Sequence, residues 1–288
     1  MNKILKSLAA VATACLVGSA VAAGGGYPLD PFPTQKLTQQ PALQNGAKLF
    51  VNYCLNCHSA SLMRYNRLTD IGLTEEQIKK SLLFTTDKVG DPMRIAMRPA
   101  DAKEWFGALP PDLSVIARAR SSGDGSGADW LYTYLRAYFR DATRANGWNN
   151  TVFESVGMPH VFWEQQGSRG ATLAEVKEIH DEDSGKLTGF VRTIVEFDTN
   201  GVRTETTQPL DGLKHHASRN WTLGKPVGGT LSQAEFDDQV GDLVAYITYM
   251  SDPTAQKRMR LGVWVLMFLG VFTVVAWMLN REYWKDIK

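Results

Sequence analysis

Apolar positions along the chain form three patterns: unbroken runs at both ends, helical periodicity through most of the middle, and one alternating stretch. A run from Ser7 to about Ala20 follows Lys3 and Lys6 and closes on Ala20-Val21-Ala22-Ala23. A basic start, a run too short to span a bilayer and an A-x-A-like end predict a secretory signal peptide over residues 1–23. At the other end, Leu261–Leu279 holds 19 residues without a charge. As a helix it covers roughly 28 Å, close to the ~30 Å of bilayer hydrocarbon. Trp264 and Trp277 lie toward its two ends, where interfacial aromatics sit. One transmembrane helix over 261–279 and a short tail over 280–288 are therefore expected. Basic residues flank the span on both sides, so the export signal sets its orientation. Residues 24–260 are expected on the periplasmic side of a bacterial inner membrane, with the C-terminus cytoplasmic.

Between the ends, apolar residues spaced for one helical face predict helices over Ala42–Tyr53, Thr74–Phe84, Asp112–Arg120, Asp129–Arg140 and Leu231–Met250. In the first, Leu43, Ala47, Phe50 and Val51 share a side. The stretch Gly189–Phe197 alternates instead, turns at Thr199-Asn200-Gly201 and returns through Val202–Thr206, which reads as a β-hairpin. The expected class is mainly α with a β-hairpin.

Composition changes this picture at two points. The 288 residues carry 31 basic and 30 acidic side chains. The first 23 residues take two basic groups, and 261–288 take three basic and two acidic, which leaves 26 basic and 28 acidic groups, net −2, on the exported body. A nucleic-acid partner held by bulk electrostatics is disfavoured. Of three cysteines, Cys15 falls in the signal peptide, so Cys54 and Cys57 remain, in Cys54-Leu55-Asn56-Cys57-His58.

That spacing is C-x-x-C-H, the attachment motif of c-type haem. Two thiols one turn apart can each add to a vinyl group, and the adjacent His58 then supplies an imidazole nitrogen to the iron. A redox dithiol needs no following histidine, a zinc site needs two further ligands, and a disulfide over so small a loop is strained. One motif implies one covalently attached haem c. Methionine opposite histidine is the electron-transfer pairing. Beyond the signal peptide and outside the span, the methionines are Met63, Met93, Met97, Met158, Met250 and Met259. Met63 is too near His58 to reach the opposite haem face, and Met250 and Met259 lie on or beyond the last soluble helix. Met158 sits in Val156-Gly157-Met158-Pro159, where Gly permits close approach and Pro stiffens the backbone. It is the expected second ligand, with His160 as its local rival. His180, His215 and His216 fall in polar sequence and are expected to be solvated.

Other pieces carry a resemblance: Cys54–Ser59 as C-x-x-C-H-S, Met97-Arg98-Pro99, Gly107-Ala108-Leu109-Pro110-Pro111-Asp112-Leu113-Ser114 running into Ala117-Arg118-Ala119-Arg120, then Gly157-Met158-Pro159. With the closing helix and anchor, the chain resembles the cytochrome c1 family of the cytochrome bc1 complex over most of its mature length. The resemblance implies a class I cytochrome c-like haem domain over 24–260, thioether attachment at Cys54 and Cys57, ligation by His58 and Met158, a haem propionate paired with Arg120, and a haem edge walled by Pro110 and Pro111. It implies a Rieske iron–sulfur protein as electron donor, a cytochrome c as acceptor, and the cytochrome b subunit and membrane lipid as neighbours. It implies no quinol or other substrate site on this chain.

The chain departs from the compact members of the family by an insert over about 160–228, which includes the hairpin. Acidic docking clusters are not obvious: Asp181-Glu182-Asp183 and Asp237-Asp238 read as solvated faces. Two other functions stay in view. A free-standing anchored cytochrome c donating to a terminal oxidase would lack the A-L-P-P-D-L-S block. A haem peroxidase would leave the sixth position open.

Overall fold

The computed structural model describes residues 27–181, 184–212 and 214–286. The signal-peptide reading, Cys15, Glu182 and Asp183 lie outside them. Eight α-helices are described: α1 Gln40–Leu49, α2 Glu75–Ser81, α3 Pro99–Phe106, α4 Ile116–Ala119, α5 Gly127–Leu135, α6 Trp163–Gln166, α7 Gln233–Ser251 and α8 Ala255–Tyr283. Ten strands are interleaved: β1 Ala60–Arg64, β2 Pro92–Met93, β3 Tyr138–Arg140, β4 Trp148–Asn150, β5 Gly167–Ser168, β6 Ala171–His180, β7 Leu187–Phe197, β8 Arg203–Leu210, β9 Ser218–Leu223 and β10 Val227–Gly228. Helix and strand are thus mixed, where the sequence pattern predicted a mainly α chain.

The core centres on α1 crossing α7. Gly46 sits at the crossing, where a Cβ would lie 2.1 Å from the Asp242 carbonyl oxygen. Only glycine lets two helix backbones approach this closely. Phe50 packs on Tyr246 beside the crossing, with ring centroids 5.6 Å apart, and Ala47, Leu243 and Val244 are fully buried there. Polar bonds fix its rim. The buried Lys36 ammonium reaches Asp242 at 2.6 Å and Asp238 at 2.7 Å, and Asn45 donates to Asp242 at 2.8 Å. Capping boxes start three helices: Thr74 with Gln77, Ser126 with Asp129, and Ser232 with Glu235.

Local chemistry explains where helices stop short of their sequence pattern. Beyond Leu49, α1 widens into a π turn over Phe50–Cys54. The Asp112–Arg120 stretch forms only one helical turn, α4, because the Asp112 carboxylate bonds the Ser114 N–H at 2.8 Å and Ser59 takes the Leu113 N–H at 2.8 Å. Both bonds, one to a side chain and one to the distant Ser59 backbone carbonyl, compete with the helical ladder. The Asp129–Arg140 stretch ends its helix at Leu135, and Tyr138–Arg140 pairs with β4 instead. Helix α3 was not expected, although Pro99 at its first turn and Gly107 after its end are start and stop signals.

Strands β6 to β9 form a four-stranded antiparallel sheet in the order β8-β7-β6-β9. β7 pairs with β8 around the Asp198–Val202 turn, and β6 and β9 extend the sheet beyond the two strands expected. Phe139 of the body packs on Phe197 and Trp221 at 5.0 and 5.2 Å. Helix α8 stands apart. Its 29 residues include an 18-residue window of mean hydropathy 2.2, and none of that window is buried.

Candidate functional site

The π turn that continues α1 delivers the cysteines. Its wider ring closes with Leu55 N–H on the Phe50 carbonyl at 3.0 Å, and Cys54 then accepts from the His58 N–H at 2.9 Å. The two thiols and the imidazole therefore emerge within one tight turn and line a single apolar cavity. Leu113, Ile116, Leu131, Leu135, Val161 and Ile247 wall it, and Ala108–Pro111, Arg120, Trp130, Tyr134 and the Val156–Pro159 segment complete it.

His58 is held from one side. Its Nδ1 donates to the Pro111 carbonyl at 2.7 Å, so Nε2 keeps its lone pair free for the cavity. Burial lowers the His58 pKa, opposed in part by the Pro111 carbonyl and Asp112, and the ring stays neutral, as a metal ligand must. The Pro111 carbonyl is itself fixed: Asp112 accepts from Ser61 N–H at 2.9 Å and Ser61 Oγ at 2.6 Å.

The cysteine environment speaks against a redox dithiol. Burial pushes the Cys54 thiol up to about 12, with a further rise from Cys57, and raises the Cys57 pKa as well. Reactive dithiols need the opposite shift. Cys54 is buried and Cys57 half-buried, and no disulfide joins them.

Of the methionines named above, Met158 alone lines the cavity. Met63, Met93 and Met250 are packed in the core. The Met158 sulfur accepts from the Tyr134 hydroxyl at 3.4 Å. Tyr134 and Tyr138 share a 2.8 Å hydroxyl contact, and Tyr138 donates to the Met158 carbonyl at 3.3 Å. Sequence reading missed these tyrosines. Their signal is the i, i+4 stripe Trp130-Tyr134-Tyr138, which reads as ordinary core but carries polar tips.

His160, the rival ligand, points elsewhere. It stacks on Tyr138 at 4.7 Å and meets Trp148 edge-on at 4.9 Å. Burial, helped by the Arg169 charge, drops its pKa to about 3. Arg120 lines the cavity, its guanidinium 4.3 Å above the Trp130 ring. Trp130 in turn stacks on Tyr134 at 4.8 Å. Of the acidic pair, Asp237 is half-buried and binds Arg136 at 2.6 Å, whereas Asp238 also bonds Lys36 but stays exposed, as a solvated face requires.

The profile of the Cytochrome C1 family matches residues 33–169 and 230–287. A Nitrosomonas europaea protein named ammonia monooxygenase gamma subunit is 40% identical over 259 residues, covering 90% of this chain and 88% of its own. The cytochrome c1 of Allochromatium vinosum is 38% identical over 268 residues, covering 93% of each. That of Rhodospirillum rubrum is 27% identical over 269 residues, covering 86% of this chain and 83% of its own.

Proposed function

The chain belongs to the cytochrome c1 family, and from that premise we propose how its residues perform the family's work. It is a membrane-anchored haem c subunit of the bc1 complex that transfers electrons, with one covalently bound haem c. A free-standing cytochrome is not favoured.

In this reading Cys54 and Cys57 attach the haem through thioethers, His58 and Met158 ligate the iron, and Arg120 pairs with a propionate. What carries it is the convergence of both thiols, an imidazole with its Nδ1 already satisfied, and a thioether on one apolar cavity. Bound there, haem c supplies reversible one-electron exchange at its iron. The chain's residues set the conditions. The thioether of Met158, softened as a donor by the Tyr134 hydroxyl, favours the reduced state. The apolar walls keep water out and disfavour extra positive charge, which acts in the same direction. Arg120, stacked on Trp130, offers a planar fork that suits a carboxylate. The Pro111 carbonyl fixes the His58 tautomer and walls the haem edge.

The helix crossing at Gly46 supports a class I cytochrome c-like domain over 24–260 in this reading. Residues about 160–228, with the β7–β8 hairpin, are an insert in that domain, and residues 1–23 are its signal peptide. Residues 261–279 span the membrane and 280–288 end in the cytoplasm. The haem domain then faces the periplasm of a bacterial inner membrane, where a Rieske protein reduces it and a cytochrome c oxidises it, with cytochrome b beside the anchor. Met158→Leu in the intact complex tests the ligand set. A lower midpoint potential and new CO binding by the ferrous protein are expected, and an unchanged spectrum would overturn the assignment. Purification through this chain should co-recover a di-haem b subunit and a Rieske protein. Their absence would count against the partner reading.

A further inference from the structure

The family profile leaves residues 170–229 unmatched, while it matches the segment that carries Met158. The two are nevertheless tied together. Glu154, four residues before Met158, takes three hydrogen bonds from two side chains of strand β9. Arg219 Nη2 reaches its two carboxylate oxygens at 2.8 and 2.6 Å, and Trp221 Nε1 reaches Oε1 at 2.9 Å. Arg219 is held in turn by Glu175 of β6 at 3.1 Å, and Trp221 by Phe139 and Phe197. The register pairs Leu173 with Trp221 and Glu175 with Arg219, so these side chains share the sheet face that meets the body.

A second tie reaches the next residue. The Gly201 carbonyl in the β7–β8 turn accepts from the Ala142 N–H at 2.9 Å. The neighbouring Asp141 carboxylate accepts from Asn149 at 2.9 Å, and Asn149 Oδ1 accepts from the Ser155 N–H at 2.8 Å. Ser155 lies at φ 59°, the only non-glycine residue with positive φ among those described. Such a backbone persists only where its surroundings over-determine it, and it recurs at ligand clamps.

We propose that the sheet is a splint for the Met158 loop, and that Glu154 is the positioning residue through which it acts. This rests on Met158 being the second iron ligand. Two sheet-borne ties converge on Glu154 and Ser155, the hinge from which Val156–Pro159 enters the cavity. Held there, the thioether has one approach; released, it can swing off and expose the iron.

The test uses the detergent-solubilised complex with Glu154→Ala, Trp221→Phe and Arg219→Gln. It reads ferrous CO binding, midpoint potential and the near-infrared thioether-to-ferric band. Because the pair is half-exposed, each change should raise the CO-reactive fraction about five-fold and lower the potential, with little change in thermal midpoint. Glu154→Gln, which keeps an acceptor for Trp221, should recover most of the effect. Trp221→Phe and Arg219→Gln approach the same carboxylate from the sheet and decide the matter even if Glu154→Ala does not accumulate. Wild-type CO binding and potential in both, with the band lost in Met158→Leu, would overturn the splint and leave the ligand assignment standing. A band that survives Met158→Leu would overturn both.

Discussion

Gly46→Ala separates two opposing effects of known sign. In an isolated helix the change stabilises by about 1 kcal/mol. Here the new methyl group would stand 2.1 Å from the Asp242 carbonyl oxygen and 2.7 Å from the Tyr246 Cβ. A close C···O contact relaxes only near ~3.3 Å, so α1 and α7 must separate by about 1 Å. Both obstructing groups are backbone or first side-chain atoms, and no rotamer change relieves them. Separation opens the buried Ala47, Phe50, Leu243 and Tyr246 seam and stretches the Asn45–Asp242 bond. Overpacking of this kind costs about 1–3 kcal/mol, and the rigid obstacle puts Gly46 at the upper end. After the helix-propensity gain, a net loss of about 1–2 kcal/mol remains, or roughly a 3–6 °C drop in Tm for a domain this size. The assay is thermal unfolding of the full-length protein in detergent at one scan rate. Gly90→Ala serves as the control, because nothing lies within 4 Å of a Cβ there. A Gly46→Ala protein as stable as wild type, or more so, would refute the close-crossing argument, since propensity alone gives that sign.

Three further outcomes follow from named contacts. Partial burial raises the Asp129 pKa, but bonds from the Phe32 N–H and from Ser126 outweigh it and hold the carboxyl below its usual 3.8. A depressed native pKa means the unfolded chain binds more protons in acid, so this contribution is complete above about pH 3.8 and is lost as pH falls through the native value. Asp129→Asn should flatten the acid limb of the stability curve, and an unchanged slope in thermal midpoints across acid pH would refute it. Tyr134→Phe removes the hydroxyl 3.4 Å from the Met158 sulfur, which should strengthen sulfur donation and lower the midpoint potential in redox titration; a rise would contradict the bond's proposed role. Phe268→Arg, midway along the apolar stretch of α8, should cost about 2.5–3.5 kcal/mol of insertion and move protein from the carbonate-resistant membrane fraction to the soluble one. Full retention would argue against α8 as the anchor.

What sequence could disclose depended on how local each determinant is. Cys54, Cys57 and His58 are fixed by one turn, so their spacing alone marked them as a set, and all three line one cavity. Met158 was legible only through its Gly and Pro neighbours. The structure adds what no spacing contains, a pair of hydroxyls from α5 and β3 that approach it from some twenty residues upstream. The Pro111 carbonyl shows the same limit from the other side: a proline pair marks a turn, but not that its carbonyl meets an imidazole 53 residues away. Helix ends were misjudged where other bonds claimed the backbone: the Asp112 carboxylate at Ser114, and pairing with β4 at Tyr138. The sheet was half seen, because β7 and β8 alternate clearly around a tight turn. β6 and β9 pair across some 45 residues, and strand register over that distance leaves little local trace.

The two candidate ligands differ in how they are held, and that difference has a physical consequence. His58 follows directly from the thiols in sequence, and its Nδ1 is anchored by a carbonyl that Asp112 locks in turn. Such a ligand moves only if the core helix α1 moves. Met158 lies on a loop whose constraints all come from elsewhere: Tyr134 and Tyr138 at the sulfur and carbonyl, and Asn149, Arg144 and the sheet at Ser155 and Glu154. Each tie is a hydrogen bond or ion pair of modest strength, so rigidity on this side is a sum of small terms. If the proposed ligand set holds, electron transfer needs both residues to keep their places as the iron changes charge. In the proposed reading the histidine side gets that from its adjacency to the attached cysteine and from the close α1–α7 crossing. The methionine side gets it from the sum of these ties, and loss of any one should therefore be felt first as a change in CO access and midpoint potential, before it is felt as a change in stability.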